Sequence, residues 1–553
     1  MKSYRLRERA HDELLYDILD ARGITGEKEM AEFLEPDFLR DSHDPFLLPD
    51  MGVAVERIEK ALRNNEKVCV WSDYDCDGIP GGVMLTDFLR SIGLSVRHYI
   101  PHRHEEGYGL NNEGLAELAS EGITLVITID LGTTEIEGIN FAKTKGIDVI
   151  VTDHHVVQEL DKNFPALALI NPKRPDSNYP FDGLCGAGVA WKLVQGVLAK
   201  NRFKIAEGQE KWFLDLVGIA TLSDMVPLVN ENRMLAHFGL RVMRRNRRPG
   251  LASLLTLLRI QPFSLTEDDI GFMVAPRINA ASRMDKPDMA ANLLRTNSRE
   301  EANEFARELN RVNDERKGLV AATVKEVNRR LKEMPEEGPV IVMGNPKWRP
   351  GILGLVANSL VASHQKPVFL WGREGGETIK GSCRSDGVVS VVSLMQSAGD
   401  IFEGFGGHHA SGGFSLLQER VHELPARLAN AYTALRAQSS PEKEIVIDRE
   451  IEMEEIPHAM RDLSRLAPFG EGNAKPLFIL PQVTVGRSRM FGKGGDHLDV
   501  LLTRGSTSVS GISFFANPES FQKRVSEGVR ADVVGHIESD WRGRPRVRIV
   551  DVI

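Results

Sequence analysis

Residues 71–82 read "WSDYDCDGIPGG" and place Asp73, Asp75 and Asp77 at alternate positions ahead of a run of glycines. Carboxylates this close repel one another, so water, basic side chains or bound cations must offset them. The flanking sequence says where they sit. "KVCVWS" (67–72) reads as a buried strand and residues 79–92 as a helix. "SVRHYI", "ITLVITI", "IDVIVT" and "ALALIN" read as four more strands, with helices over "NNEGLAELASEG" and residues 134–145 between them. Continuous apolar strands alternating with helices specify a parallel sheet covered on both faces. Such sheets bind ligands outside the C-terminal ends of their strands, which is where the three aspartates fall. The glycines that follow are expected to let the chain turn away and a phosphate group approach.

The 553 residues, 42% hydrophobic and 27% charged, suffice for three to four soluble domains of roughly 150 residues each. No apolar run approaches the roughly 20 residues of a membrane helix. The charged N-terminus lacks the apolar stretch of a signal peptide. The four cysteines, Cys69, Cys76, Cys185 and Cys383, form no CxxC pair, which argues against a zinc or disulfide framework and for a reducing cytoplasm. A net charge of −9 excludes a basic field over the whole protein, so nucleic-acid binding must use local patches.

The expected class is α/β. Residues 1–50 form a lead-in and 51–235 the parallel-sheet domain. Residues 236–337 form a helical segment that ends in a long connector helix at about 298–334. Ser298 and Glu301 make a capping box at its start, and apolar residues recur at 3- or 4-residue steps from Ala302 to Leu331. A second, smaller α/β domain spans 338–438, including the glycine-rich "GFGGHHASGGF". After the polar linker "AQSSPEKE", residues 442–553 read as short strands of a small barrel, beginning with "EIVIDREI".

Asp130 ends the third strand in "ITID", and Asp153, His154 and His155 follow the fourth in "VTDHH". They share the sheet edge of Asp73, Asp75 and Asp77, while Asp224 follows an apolar helical run in "GIATLSDMVPL". A lone DxD is often a helix cap and a lone HH a satisfied surface pair. The shared edge favours a metal site over both. Oxygen ligands with one imidazole suit Mn2+ or Mg2+ better than zinc. So many carboxylates suit two cations about 3.5–4 Å apart, bridged by one Asp.

"DYDCDG", "ITIDLGTT", "VTDHH", "ATLSDMVPL", "PRINAASRM", "GSCRS" and "GGHHASGG" together resemble the ordered motifs of the DHH phosphoesterase superfamily, and within it the RecJ-type bacterial single-strand-specific 5′→3′ DNA exonucleases. The resemblance covers nearly the whole chain, including a DHHA1 domain and a C-terminal OB-fold. It implies hydrolysis of single-stranded DNA to 5′-mononucleotides in recombination and repair. It implies Asp75, Asp77, Asp130, His154 and Asp224 as ligands of two divalent cations, Mn2+ or Mg2+. Asp130 bridges, Asp73 is a near or weaker ligand, and Asp153 orients its neighbours. His155 would stabilise charge on the scissile phosphate. Ser382 and Arg384 would hold a terminal phosphate, helped by Arg277, Asn279 and Arg103. The implied partners are a single-strand-binding protein and a RecQ-type helicase; the chain is expected to be a cytoplasmic monomer without membrane contact.

Other features bear on DNA directly. Tyr108 is a candidate for base stacking or for the core, and His408 and His409 for phosphate contact or a tight turn. Trp541 with Arg542, Arg544, Arg546 and Arg548 at period two predicts a basic stripe on one face of a strand. Two other functions compete: a DHH-type phosphodiesterase for short RNA oligomers or cyclic dinucleotides (or a pyrophosphatase), and a non-catalytic replication scaffold. The connector and basic barrel speak against the first, the retained acidic positions against the second.

Overall fold

The computed structural model describes residues 3–103, 106–157, 164–334, 338–373, 378–437, 444–492, 494–540 and 542–553. Trp541 and most of the linker after Ala437 lie outside them.

The first lobe is built on five parallel strands, β1 (Lys67–Ser72), β2 (Ser95–Tyr99), β3 (Ile123–Ile129), β4 (Asp148–Thr152) and β5 (Ala168–Ile170), in the order β2-β1-β3-β4-β5. The chain leaves β1 toward one edge of the sheet and returns across it to β3. A crevice therefore opens at the C-terminal ends of β1 and β3, where the connections diverge. Helices α1 (Met51–Asn64), α2 (Gly78–Ser91) and α3 (Gly186–Lys200) share one continuous apolar core with β1, β3 and the bundle that follows.

The connector helix, α6 (Arg299–Glu333), follows α4 (Leu214–Ser223) and α5 (Ala275–Arg283). Its 35 residues span roughly 52 Å at 1.5 Å each. Ser298 caps it by accepting the Glu301 N–H at 3.3 Å. The N-terminal half buries Ala306 and Leu309 in the first lobe's core, and Val320, Val324, Val327 and Leu331 pack on the second lobe. That lobe is a mixed sheet of β6 (Ile341–Gly344), β7 (Val368–Gly372), β8 (Ile379–Arg384), β9 (Phe402–Gly407) and β10 (Ser411–Leu416), in the order β9-β10-β8-β7-β6.

Strands β11 (Phe478–Phe491), β12 (His497–Arg504), β13 (Thr507–Ser513), β14 (Arg530–Ser539) and β15 (Pro545–Val552) run β11-β12-β13-β15-β14, and pairing of β11 with β14 closes the barrel. "EIVIDREI" is not a barrel stave. Ile445–Ile447 pairs instead with Tyr4–Leu6 at the N-terminus, and only Arg449 and Glu450 reach β11. The lead-in also places Leu14, Leu15, Ile18, Leu19 and Met30 in the barrel's own core. Among the described residues no helix is long and apolar enough to cross a membrane.

Candidate metal centre and nucleic-acid cleft

The loop after β1 folds on its own carboxylates. Asp75 accepts the N–H groups of Asp77 (2.7 Å) and Gly78 (3.0 Å) and so starts α2. Asp77 reaches across to α3, where it accepts from Gly186 (2.6 Å) and Ala187 (2.8 Å). Both anions thus sit at helix N-termini, where unpaired N–H groups favour negative charge. The helix-cap and metal-site readings of this motif coexist, because a carboxylate offers about four lone-pair sites.

The glycines serve packing rather than phosphate approach, which corrects the expectation above. All are buried within α2. A side chain at Gly78 would strike the Asp73 carbonyl, at Gly81 the Ile129 methyl at 2.8 Å, and at Gly82 the His98 ring.

Asp130 follows β3 with a left-handed backbone, φ 63°, costly for a non-glycine residue and of a kind that clusters at functional sites. His154 Nε2 lies 3.1 Å from Asp130 Oδ1, 3.6 Å from Asp224 Oδ2 and 3.8 Å from Asp77 Oδ2. Candidate ligand atoms fall into three groups, each within 4.8 Å: Asp77, His154 and Asp224; Asp73, Asp75 and Asp130; Asp130, His154 and His155. Asp130 and His154 each belong to two of them, and of the two only the carboxylate, with two oxygens, could serve two cations at once.

The electrostatics fit a cation site. Burial, then Asp75, pushes Asp77 up to about 7, and burial, then Asp77, pushes Asp224 up to about 9. Asp73 and Asp130 are driven well above the carboxylate range, first by burial and then by neighbouring aspartates. Burial and the neighbouring His155 press His154 down to about 3, leaving a neutral imidazole. Asp73 Oδ1 is buried with no donor among the described residues, and Asp130 Oδ1, though close to His154, lacks a hydrogen bond of acceptable geometry. Lone pairs left idle in a carboxylate cluster are what divalent cations use, so the residues fit the group.

Beside this cluster, Asp153 accepts from the Thr133 N–H (2.9 Å) and contacts His155 Nδ1 (2.8 Å). Burial alone would raise Asp153, but these hydrogen bonds outweigh it and hold the carboxyl well below its usual range. The hydrogen bond to Asp153 raises His155 against the opposing effect of burial. Tyr108 is 46% exposed, donates its hydroxyl to the Asp130 carbonyl at 3.1 Å, and stands edge-on to His155 at 6.2 Å. It belongs to the cleft, not the core.

The lobes face each other across a cleft of about 820 Å³ lined by Tyr74, Arg103 and Tyr108 on one side and Lys380, Ser382 and Phe414 on the other. The Arg103 guanidinium lies 4.8 Å above the Tyr74 ring. Ser382 and Arg384 share a face of β8, and Cys383 between them is buried. His408 and His409 form the exposed turn of the β9–β10 hairpin beside Arg384, which pairs with Ser411.

Arg277 does not line this cleft. It is buried and donates to Asn310 Oδ1 (3.0 Å) and the Met273 carbonyl (2.6 Å). Asn279, in the same helix, has a buried side-chain oxygen without a partner among the described residues. The arginine that sequence reasoning missed is Arg283, six positions on and so on another face of α5. It donates to the Gly351 carbonyl (2.7 Å), and burial, then the charges of Arg103, Arg316 and Arg384, lowers it to about 9. Four arginines, Arg103, Arg283, Arg316 and Arg384, are thus close enough for their charges to act on one another, within reach of Asp75.

In the barrel the basic stripe is shorter than expected. β15 begins at Pro545, so Arg542 and Arg544 lie in the preceding turn, with Gly543 at φ 76°. Arg544 pairs with Asp540, and Arg546 and Arg548 both pair with Glu538. The same outer face carries an unforeseen aromatic row. The His497 ring lies 5.2 Å from Phe491, 5.4 Å from Phe514 and 4.9 Å from Phe515, which is 82% exposed. The dipeptide "FF" at the end of β13 was its only local signal.

Fold and site define a divalent-cation-dependent phosphoesterase of the DHH class. The family models agree: the N-terminal domain of the DHH family matches residues 67–221, the DHHA1 domain 337–434 and the RecJ OB domain 447–550. The chain belongs to the RecJ family of single-stranded-DNA-specific exonucleases. It is 30% identical to the enzyme so named from Haemophilus influenzae over 91% of this chain and 89% of that one. It is 31% identical to the Bacillus subtilis enzyme over 92% of its own length, but spans only 64% of that longer relative. The crystal structures of RecJ from Thermus thermophilus with Mn2+ and with Mg2+ match all of this chain and 79% and 78% of those chains, with TM-scores of 0.79 and 0.74 at 27% and 26% identity.

Proposed function

We propose that this protein degrades single-stranded DNA from its 5′ end to 5′-mononucleotides, in DNA recombination and repair. The observation that carries the reading is the cleft between the lobes, lined by Arg103 and Tyr108 on one side and Ser382 on the other, with the acidic cluster joined to it through Tyr108 and the charges of Arg283 and Arg384 close by. Asp75, Asp77, Asp130, His154 and Asp224, with Asp73 beside them, would hold two cations. When bound, the cations lower the pKa of an attacking water and neutralise charge on the phosphodiester. Asp153 fixes the His155 ring and favours its protonated form, so His155 stabilises negative charge developing on the scissile phosphate. Tyr108 presents a ring to the terminal base. Ser382 and Arg384 take the terminal phosphate, which carries more charge than an internal diester and so distinguishes an end from a mid-chain position.

Supporting contacts with longer strands fall to the aromatic and basic face of the barrel. The resemblance adds a single-strand-binding protein and a RecQ-type helicase as partners, a monomeric state and a cytoplasmic location, to be tested by co-purification and sedimentation. The decisive experiment for the activity is digestion of oligonucleotides labelled at either end, with and without a 5′ phosphate and with and without chelator. Release of the 3′ label first, or digestion unaffected by chelator, overturns it.

A further inference from the structure

The helix end and loop that lead into the barrel, residues 465–473, dock on the first lobe close to the candidate ligand Asp224. Asn473 is fully buried and closes the loop on itself, donating to the Leu466 (2.9 Å) and Pro468 (2.7 Å) carbonyls. The Glu471 carbonyl accepts the Leu228 N–H at 2.7 Å. Gly472 backs onto Pro227 and Val229. Arg233, 3% exposed, grips the same loop from the first lobe. It donates to the carbonyls of Leu466 (3.0 Å), Ala467 (3.2 Å), Arg465 (3.3 Å) and Phe33 (2.8 Å), and its guanidinium stacks 3.6 Å over the Phe33 ring.

Its neighbour Asn232, also fully buried, donates to two carbonyls in different loops: Gly183 at 2.6 Å and Pro227 at 3.0 Å. Gly183 precedes the first turn of α3, whose N–H groups hold Asp77. Pro227 follows Asp224 across Met225, whose φ of 59° turns the chain sharply. One amide therefore joins the two segments that set Asp77 and Asp224, and the adjacent guanidinium joins that amide's helix to the barrel.

We propose that Asn232 and Arg233 are positioning residues for the metal centre, through which docking of the barrel loop sets the divalent-cation affinity of the site. This rests on the metal-centre reading above, not on the DNA reading. Groups that hold ligands in place without touching the ion commonly change its affinity by about 10- to 100-fold when altered. The barrel then serves the chemistry on every substrate, including strands too short to reach its outer face.

The test is calorimetric titration of metal-free full-length protein with Mn2+ alone, alongside its Mn2+ paramagnetic-resonance spectrum and thermal melting. Asn232→Ala should weaken Mn2+ by about tenfold or more and broaden the spectrum, and Arg233→Lys, which keeps the charge but loses the fork of donors, should shift both the same way. Lys475→Met removes a different barrel-to-lobe contact, the 2.6 Å ion pair with Asp268, and should leave the isotherm unchanged. Should Asn232→Ala fail to fold, Arg233→Lys decides. Mn2+ affinity within about twofold of wild type in the folded variants, or an equal loss in Lys475→Met, overturns the proposal. No DNA is present, so a protein that loses Mn2+ as stated yet never degrades DNA would sink the functional reading and leave this one standing.

Discussion

The Asp77 carboxylate rests on the first N–H of α3, 2.6 Å from Gly186 N, and Gly186 in turn lies directly under Asp130. Two candidate ligands that follow different strands of the sheet are therefore registered against one helix terminus. The dipole of α3 offsets part of their repulsion, and cations held there would offset the rest.

Gly186→Ala follows from that contact. The added methyl would sit 2.5 Å from Asp130 Cβ and 2.8 Å from its Cα, so backbone must shift. Mn2+ affinity and nuclease activity should each fall by about 10- to 100-fold, while circular dichroism stays native. An unaltered Mn2+ isotherm would show that the loop absorbs the methyl without moving a ligand.

Asp130→Asn should abolish hydrolysis and preserve the fold. Asn tolerates the left-handed backbone at φ 63°, whereas Ala would add strain to the loss of charge. Initial rates at saturating Mn2+ measure it. Retention of more than about a tenth of wild-type rate is incompatible with a carboxylate shared between two cations.

Without cations stability should fall as the pH rises, and cations should oppose that fall. Asp77 and Asp224 are raised to about 7 and about 9 in the fold, whereas in an unfolded chain they ionise near 4. Between those limits the folded state binds more protons, so raising the pH removes stability from the metal-free protein. Cations replace the protons, so the stabilisation by Mg2+ should grow with pH up to about 9. Melting in chelator and in Mg2+ at pH about 6 and about 8.5 checks this; a cation-induced shift that shrinks with pH contradicts it.

Deleting residues 442–553 would strip the cover from Leu14, Leu15, Ile18 and Leu19, so point variants probe the barrel better. Phe515→Ala should weaken binding of a forty-nucleotide strand by about 1–3 kcal/mol, as for one stacked base, and leave a four-nucleotide substrate unaffected. Arg548→Ala should give a smaller loss that fades as salt rises, since Glu538 already offsets part of its charge. Equal effects on both lengths in a filter-binding assay would assign these residues to the fold.

Arg384→Ala should cost about 1.5–3 kcal/mol in kcat/KM, roughly 10- to 150-fold, on 5′-phosphorylated strands and little on 5′-hydroxyl strands. Arg384 shares its β8 face with Ser382 and approaches Arg283 from the other lobe. Equal losses on both ends would make it a general backbone contact and move end recognition to Arg283.

Much of the site is legible from one rule. Asp73, Asp75, Asp77, Asp130, Asp153 and His154 follow the C-terminal ends of strands, and parallel strands bring those ends to one edge. Arg277 and Arg283 show where the rule stops. Both lie on α5, and only the packing of that helix against α6 decides which faces the cleft. The arginine stripe shows the same limit differently: a period of two is meaningful on a strand, and Asp540 with Gly543 turned its first half into a loop.

The sequence by itself determined the order of the three lobes, the long connector and the identity of the acidic cluster. These depend on hydrophobic period, capping and strand ends, all of which act over a few residues. Only the tertiary structure decided that Gly186 supports Asp77 and Asp130, that the N-terminal strand pairs with Ile445–Ile447, and that Asn232 and Arg233 join the barrel to the loops that carry the candidate ligands. Those contacts link residues tens to hundreds of positions apart through side-chain direction and close packing, and neither leaves a period in the chain.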